Sequence, residues 1–226
     1  MYKKCLKRVL DFILSLVALI VLSPLMLVLI VFGAVQMRGN PFFTQPRPGK
    51  DERIFKLIKF RSMTNKKDKN GNLLPDDLRL TRYGKLLRAT SMDELPELIN
   101  ILKGDMSVVG PRPQLVRDMV FMTPKQRIRH SVMPGLTGWA QVNGRNNISW
   151  EKKFEYDIEY IENGISFIND VKIIFMTVAK VFQRADTVRE GTVSDLDFGD
   201  YLLQKGEVTA EEYELRQKEA EELLGV

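Results

Sequence analysis

The chain has one cysteine and one histidine in 226 residues. Cys5 alone excludes an intrachain disulfide framework and any cysteine cluster for zinc. His130 alone excludes metal sites that need several imidazoles, and a Ser-His-Asp or Cys-His centre would have to rest on that one residue. The well-known nucleotide signatures are missing too. There is no G-x-x-x-x-G-K-[ST] and no G-x-G-x-x-G after a strand-like run, so neither a P-loop nor a Rossmann cradle is indicated. No internal repeat is visible. Chemistry in this chain falls to carboxylates, lysines, arginines and backbone amides.

Charge is unevenly spread. The net +5 divides into −8 over residues 190–226, from eleven acids against three bases, and +13 over residues 1–189. A basic body suits a polyanionic partner: nucleic acid, an anionic membrane surface or a phosphorylated substrate. An ordinary solvated basic surface is the plainer account.

Residues 12–35 (FILSLVALIVLSPLMLVLIVFGAV) are twenty-four residues without a formal charge. That is enough helix to cross a hydrocarbon core of about 30 Å. No small-x-small cleavage site follows before Arg38, which argues against a removed signal peptide. Pro24, after Ser23, deprives the Ile20 carbonyl of its helical donor and predicts a kink. Basic residues flank both ends, Lys3, Lys4, Lys7 and Arg8 before and Arg38, Arg47, Lys50 and Arg53 after, so both ends are expected in the cytoplasm. A re-entrant helix that bends at Ser23-Pro24 satisfies both observations; an ordinary transmembrane helix with a tolerated proline is the alternative. Asp11, at the lip of the segment, is expected to pair with Arg8 or to cap the helix.

The body reads as α+β and mostly helical. Residues 42–45 and 54–61 form strands of a small hairpin around Pro46-Arg-Pro-Gly-Lys50. Residues 65–77 form a polar loop, and 82–89 and 95–102 short helices, the second ended by Gly104. Residues 107–113 read as a rigid loop carrying Arg112 between two prolines. Residues 133–147, with three glycines, read as a loop or a set of turns. Residues 170–184 form an amphipathic helix, either a core helix or one lying in the headgroup plane. Residues 209–224 form an acidic helix with a Thr209/Glu212 capping box, expected as a peripheral tail. The expected units are an anchor at 1–38, a catalytic domain at 39–189 and a tail at 190–226.

The acidic pair Asp93-Glu94 in SMDELPELIN admits two readings. Ser91 and Glu94 have capping-box spacing, and Asp93 could instead be an N-cap with Pro96 at N3. The other reading is chemical: a carboxylate here coordinates Mg²⁺ on a diphosphate, or attacks phosphorus to give an aspartyl-phosphate. Arg88, Arg112 and Lys59 are the cations available to neutralise phosphoryl oxygens. Asp195-Leu-Asp197 has the D-x-D spacing of some nucleotide-sugar enzymes, but lies in the acidic tail with no strand–helix pattern around it.

Several runs resemble the bacterial sugar transferase family, the monotopic phosphoglycosyl transferases. They are Lys59-Phe-Arg-Ser-Met63, Gly84-Lys-Leu-Leu-Arg88, Ser91 to Asn100, Leu102-Lys-Gly-Asp-Met-Ser107, Val109-Gly-Pro-Arg-Pro113, and Pro134 to Arg145. The resemblance covers about residues 1–184; residues 185–226 match nothing in it. It implies transfer of a sugar-1-phosphate from a UDP-sugar to a membrane polyprenol phosphate, such as undecaprenyl phosphate, with release of UMP. This is the first membrane step of bacterial glycoconjugate or polysaccharide synthesis.

The implied setting is the cytoplasmic face of the inner membrane, with a re-entrant helix broken at Ser23-Pro24, amphipathic interfacial helices and contact with membrane lipid. The implied catalytic pair is Asp93 and Glu94. Asp93 would be the nucleophile that carries the phosphosugar, and would also hold Mg²⁺; Glu94 would handle a proton or the metal. Arg88 and Arg112 fall where the family binds phosphates, with Lys59 a weaker candidate. Arg145 would contact the nucleotide. Asp157 matches an acidic family position, against a competing i,i+4 pairing with Lys153.

Two other readings compete. One is a membrane-anchored, Mg²⁺-dependent lipid-phosphate phosphohydrolase; the other is a basic nucleic-acid or scaffold module. The absence of any nucleic-acid motif counts against the latter, and no oligomeric state follows from the sequence.

Overall fold

The computed structural model describes residues 2–144, 148–183 and 196–225. In chain order it contains α1 (Lys7–Met37), β1 (Phe42–Pro48), β2 (Ile54–Phe60), α2 (Asp76–Arg79), α3 (Arg82–Ala89), α4 (Glu97–Lys103) and β3 (Ser107–Val109). Then follow α5 (Val116–Met119), α6 (Pro124–Arg127), β4 (Gly135–Thr137), α7 (Trp139–Val142), α8 (Trp150–Glu159), α9 (Phe167–Gln183), α10 (Phe198–Lys205) and α11 (Ala210–Leu224). The fold is α+β and mostly helical. β1 and β2 form the expected antiparallel hairpin, with Phe42 opposite Phe60 and Pro48 opposite Ile54.

α1 is long and apolar enough to cross a membrane, and it continues as one helix through Pro24. Ser23 Oγ donates to the Ile20 carbonyl at 2.8 Å, replacing the bond that Pro24 cannot make. The Ser23 hydroxyl thus stands in for the helical bond lost at the expected kink.

One stripe of α1 packs on the body from end to end. Arg8 donates to the carbonyls of Ile101 (2.5 Å) and Leu102 (3.0 Å), at the negative end of α4. Asp11 is buried and accepts from Ser107 Oγ (2.7 Å) and Val108 N (3.0 Å), in place of the expected Arg8 pairing or cap. Ala18, Leu19 and Leu22 pack against Leu57, Leu98 and Ile101, while Met26 and Leu29 pack against Phe60 and Leu87. Tyr83 Oη closes the far end on the Leu29 carbonyl at 2.8 Å. The opposite face, including Phe12, Val17, Val21, Val28 and Val31, is exposed. A soluble core helix buries its apolar surface; α1 leaves a continuous apolar stripe for lipid, and the protein is membrane-associated through it.

The glycine-rich stretch 133–147 and the 107–113 loop differ from expectation. They hold β3 and β4, which pair in parallel, Ser107 with Gly135 and Val109 with Thr137. A Cβ on Gly135 would lie 2.1 Å from Gly110 N, and one on Gly138 would lie 2.1 Å from Gly110 O. These glycines let two backbones touch, which in the sequence looks like turn composition. The pairing fixes the start of the Gly110–Pro113 segment that carries Arg112.

α9 starts at Phe167, earlier than expected. It buries Ile173 and exposes Phe167, Ile168, Phe175, Val178 and Val181. Two carboxylates bind the ends of the fold to the body. Asp170 on α9 accepts from Tyr2 Oη (2.6 Å), Lys7 Nζ (2.5 Å) and Tyr160 Oη (2.7 Å). Asp118 on α5 accepts from Phe198 N at 2.8 Å and so seats α10.

The C-terminal segment packs into the body rather than lying at its periphery. Phe198, Leu202 and Ala220 share a buried core with Val116, Met119, Trp150 and Phe154. Thr209 caps α11 by accepting from Glu212 N, as the sequence predicts. Of the D-x-D pair, Asp197 pairs with Arg117, and Asp195 lies outside the described residues.

Candidate active site

The turn that carries the acidic pair is tighter than a helix start. Ser91 adopts φ 54° and ψ 18°, in the left-handed region, and Met92–Glu94 form one 3₁₀ turn. Ser91 makes no side-chain capping bond, and Pro96 rather than Asp93 precedes α4. Both capping readings fail, because the chain reverses at Ser91 before α4 begins. The turn sets Asp93, Glu94 and Glu97 beside β2 and the Arg112 loop. Asn100, fully buried on α4, locks that arrangement. Its side chain donates to Lys56 O at 2.8 Å and accepts from Ile58 N at 3.0 Å.

Alternating charges fill the space between these elements. Lys59 Nζ stands 3.1 Å from Glu94 Oε1 and 3.1 Å from Glu97 Oε1. Arg112 Nη2 reaches the same Glu94 Oε1 at 2.5 Å. Glu94 in turn holds Arg112 firmly protonated, against the opposing effect of burial. Glu97 is 1% exposed, and burial raises its pKa above the usual carboxylate range, with Lys59 opposing.

Asp93 is half-buried, and among the described residues it forms no hydrogen bond or ion pair. Burial and then the Glu94 charge raise its pKa, while Lys59, Arg112 and Arg88 pull it back. Arg88 is aimed by Ser62, whose Oγ accepts from its Nε at 3.1 Å. The three surrounding cations offset part of that rise, and they are the groups an arriving polyanion would meet.

Asp157 stands one layer back. It is buried, and its Oδ2 accepts from Arg129 Nε (3.0 Å) and Nη2 (2.7 Å), while Arg129 also donates to the Arg112 carbonyl at 2.7 Å. Arg129 is the stronger partner of Asp157; the Lys153 charge adds a smaller effect, and its Nζ also lies over the Trp150 ring at 4.7 Å. Arg145 lies outside the described residues.

Sequence reasoning missed Glu97, Arg129 and Arg47. Glu97 had a signal, its i,i+4 spacing from Asp93. Arg129 and Arg47 had none. Arg47 bonds the Pro113 carbonyl at 3.3 Å, and burial, with Arg112 nearby, lowers its pKa to about 10.

Beside the charged cluster runs an apolar groove of about 300 Å³. Ser91 and Glu94 line its head; Ala18 and Leu22 of α1, and Ile174 and Val178 of α9, line its sides.

Among the described residues no group of three Asp, Glu, His or Cys side chains gathers as a metal cage. Mg²⁺ commonly takes one or two protein carboxylates and completes its shell with substrate phosphates and water. Asp93 and Glu94 fit that requirement.

Comparisons with known proteins place the chain among described families. Residues 2–184 match the family described as bacterial sugar transferase. EpsL of Bacillus subtilis (strain 168), named as an uncharacterized sugar transferase, is 51% identical over 176 residues, 78% of this chain and 87% of that protein. A UDP-glucose:undecaprenyl-phosphate glucose-1-phosphate transferase of Klebsiella pneumoniae is 43% identical over 186 residues, 78% of this chain but 40% of its own length. A UDP-N-acetylgalactosamine-undecaprenyl-phosphate N-acetylgalactosaminephosphotransferase of Aeromonas hydrophila is 38% identical over 184 residues, 78% of this chain and 43% of that protein. The chain thus spans less than half of these two longer relatives. The family match runs from the first turns of the membrane helix through α9 and takes in Lys59, Arg88, Asp93, Glu94 and Arg112: this chain belongs to the bacterial sugar transferase family.

Proposed function

We propose that the protein transfers a sugar-1-phosphate from a UDP-sugar to a membrane polyprenol phosphate, with undecaprenyl phosphate the acceptor named for relatives. The observation that carries this reading is Asp93, a half-buried carboxylate without a protein partner among the described residues, ringed by Lys59, Arg88 and Arg112. The site also lies beside a helix with a lipid-facing apolar stripe. In the first step an Asp93 oxygen attacks the β-phosphorus of the UDP-sugar. The bond from that phosphorus to the bridging oxygen breaks, and UMP leaves with the electron pair. In the second step a phosphate oxygen of the polyprenol phosphate attacks the same phosphorus and displaces the Asp93 carboxylate. The products are a polyprenyl diphosphate sugar and free enzyme.

Arg88, Arg112 and Lys59 stabilise the phosphoryl charge in both steps. Mg²⁺, held by Asp93 with or without Glu94, would neutralise the diphosphate. Glu94 already carries Lys59 and Arg112 on one oxygen, so its own contribution is to position those cations. A two-step route lets one site serve a soluble donor and a lipid acceptor in turn.

We read α1 as monotopic, with both ends on the cytoplasmic face of a bacterial inner membrane. Its 31 residues make about 46 Å of helix, and the charged body lies along that length from Lys7 to Gly33. A perpendicular span would carry the parts of β2 and α3 packed along Ala18–Leu29, with the charged Lys59 and Arg88 they bear, into hydrocarbon.

The test is retention of label from a UDP-sugar carrying ³²P at the β-position. Label bound to the protein in the absence of acceptor, lost in Asp93→Asn, is the expected result. An active Asp93→Asn with no labelled protein would reject the mechanism. Release of inorganic phosphate from lipid phosphates, independent of UDP-sugar, would favour a phosphohydrolase.

A further inference from the structure

The groove beside the charged cluster is built for a different guest from a nucleotide sugar. Beyond Ser91 and Glu94 at its head, the walls are mainly aliphatic (Ala18, Leu22, Leu98, Leu136, Ile174 and Val178), with Gln141 and Lys180 adding polar side chains. The two threonines in the wall, Thr137 and Thr177, bond each other at 2.6 Å, and Thr177 also donates to the Ile173 carbonyl. Their hydroxyls ask little of a guest. Val178 and Val181 both line the groove and are themselves exposed, so they mark its mouth. Val17 and Val21, next in sequence to the groove residues Ala18 and Leu22, and Phe175, next to Ile174, are exposed apolar side chains. An apolar chain can therefore pass from the lipid-facing surface to Glu94 between aliphatic walls.

We propose that this groove receives the phosphate-proximal isoprene units of the acceptor, threaded between α1 and α9. Its phosphate would arrive at the cations around Glu94 and Asp93. The inference rests on the transfer reaction proposed above and adds to it a place for the lipid. The charge at the head fits an anionic end group, since Lys59 and Arg112 both converge on Glu94 there. It also changes the role of α1, which becomes a wall of the acceptor site through Ala18 and Leu22 as well as an anchor.

The experiment uses the full chain in nanodiscs with a diazirine-bearing polyprenyl phosphate as the probe. Crosslinks are expected on peptides covering residues 14–22 and 174–181. Undecaprenyl phosphate should compete them away, and phosphatidylglycerol should not. Val178→Trp and Ala18→Phe fill the groove and should raise the KM for undecaprenyl phosphate by about tenfold or more, the scale of one overpacked contact. The burst of UMP from UDP-glucose or UDP-N-acetylgalactosamine should keep its amplitude in both variants. Phe175→Trp, beside the mouth and outside the groove, should change neither. Crosslinks spread over the exposed stripe of α1, equal competition by phosphatidylglycerol, or unchanged acceptor KM in both filled variants would overturn the proposal. Crosslinks confined to the groove in a protein that transfers no sugar phosphate would keep the lipid site and reject the reaction.

Discussion

Arg129 converges on a single oxygen of Asp157, with Nε at 3.0 Å and Nη2 at 2.7 Å from Oδ2, in a pair from which water is excluded. The same Nη2 holds the Arg112 carbonyl at 2.7 Å. Removing one partner of a buried pair strands the other charge, at a cost of about 3–5 kcal/mol. Asp157→Ala should lose stability on that scale in denaturant unfolding in micelles. Arg129→Met/Asp157→Leu should lose less, because it leaves no charge behind. Both should lower transfer, since the Arg112 loop loses its tether in each.

Arg112 and Arg88 act on Asp93 by charge, and the acid limb of kcat/KM should report it. Burial and Glu94 raise the Asp93 pKa, so the limb should lie above the ordinary aspartate value of about 3.9. Arg88→Met removes a cation that lowers this pKa and should move the limb further up. Arg112→Ala should also cost kcat a factor on the order of 10²–10³, as loss of one preorganised donor does. A limb that stays fixed in Arg88→Met would mean that another group titrates.

His130 contributes a pH dependence of stability. Burial, with Arg129 and Arg127 nearby, lowers its pKa from 6.5 to about 3. Between those values the unfolded chain binds a proton that the native state refuses. This contribution is present above pH 6.5 and is lost as pH falls toward 3. Melting curves between pH 7 and 4.5 should show wild type losing ground to His130→Gln as acid is added. A constant gap would show that His130 titrates normally.

Ser23 and Pro24 work as a unit. Ser23→Ala leaves the Ile20 carbonyl without the hydroxyl that replaces its helical donor, at a cost of about 1 kcal/mol. In a Cys5→Ser background, single cysteines at residues 2 and 40 should label from the same side of closed vesicles. Labelling from opposite sides would reject the monotopic reading.

Phe198 joins α10 to the core under the catalytic body. Phe198→Ala should cost about 3–5 kcal/mol, as other large-to-small core changes do. Removal of residues 196–226 should expose Trp150, Phe154 and Met119 and yield protein that aggregates on extraction. A truncated chain with a normal melting curve would return this segment to the status of a peripheral tail.

Much of this fold is legible in the sequence. The hairpin, α3, α4 and the amphipathic α9 declare themselves through periodicity, turn residues and Gly104. Asp93 and Glu94 stood out as an acidic pair near Arg88, and the family motifs gave them roles. Less legible were contacts between residues far apart in the chain. Nothing local announces that Asp11 serves Ser107 and Val108, or that Asp157 serves Arg129. The glycines of residues 133–147 misled for a physical reason: composition alone does not separate a turn from a place where two backbones meet. The C-terminal segment misled because α11 is acidic on most of its surface, while Ala220, which it buries, reaches a core formed far earlier in the chain by Val116, Met119 and their neighbours.

The packing of α1 bears on how the chain is made. α1 precedes the hairpin and both catalytic loops, so it leaves the ribosome ahead of them. The clusters around Phe60, Leu87, Leu98 and Ile101 stay incomplete until residues of α1 fill them. Meanwhile the opposite face of α1 is stable only against lipid. The bilayer is thus expected to act as a template during synthesis, with the helix settling first and the rest of the chain condensing along it. Active protein should therefore be recovered more readily when translation proceeds in the presence of membranes than when lipid is supplied after the chain is complete.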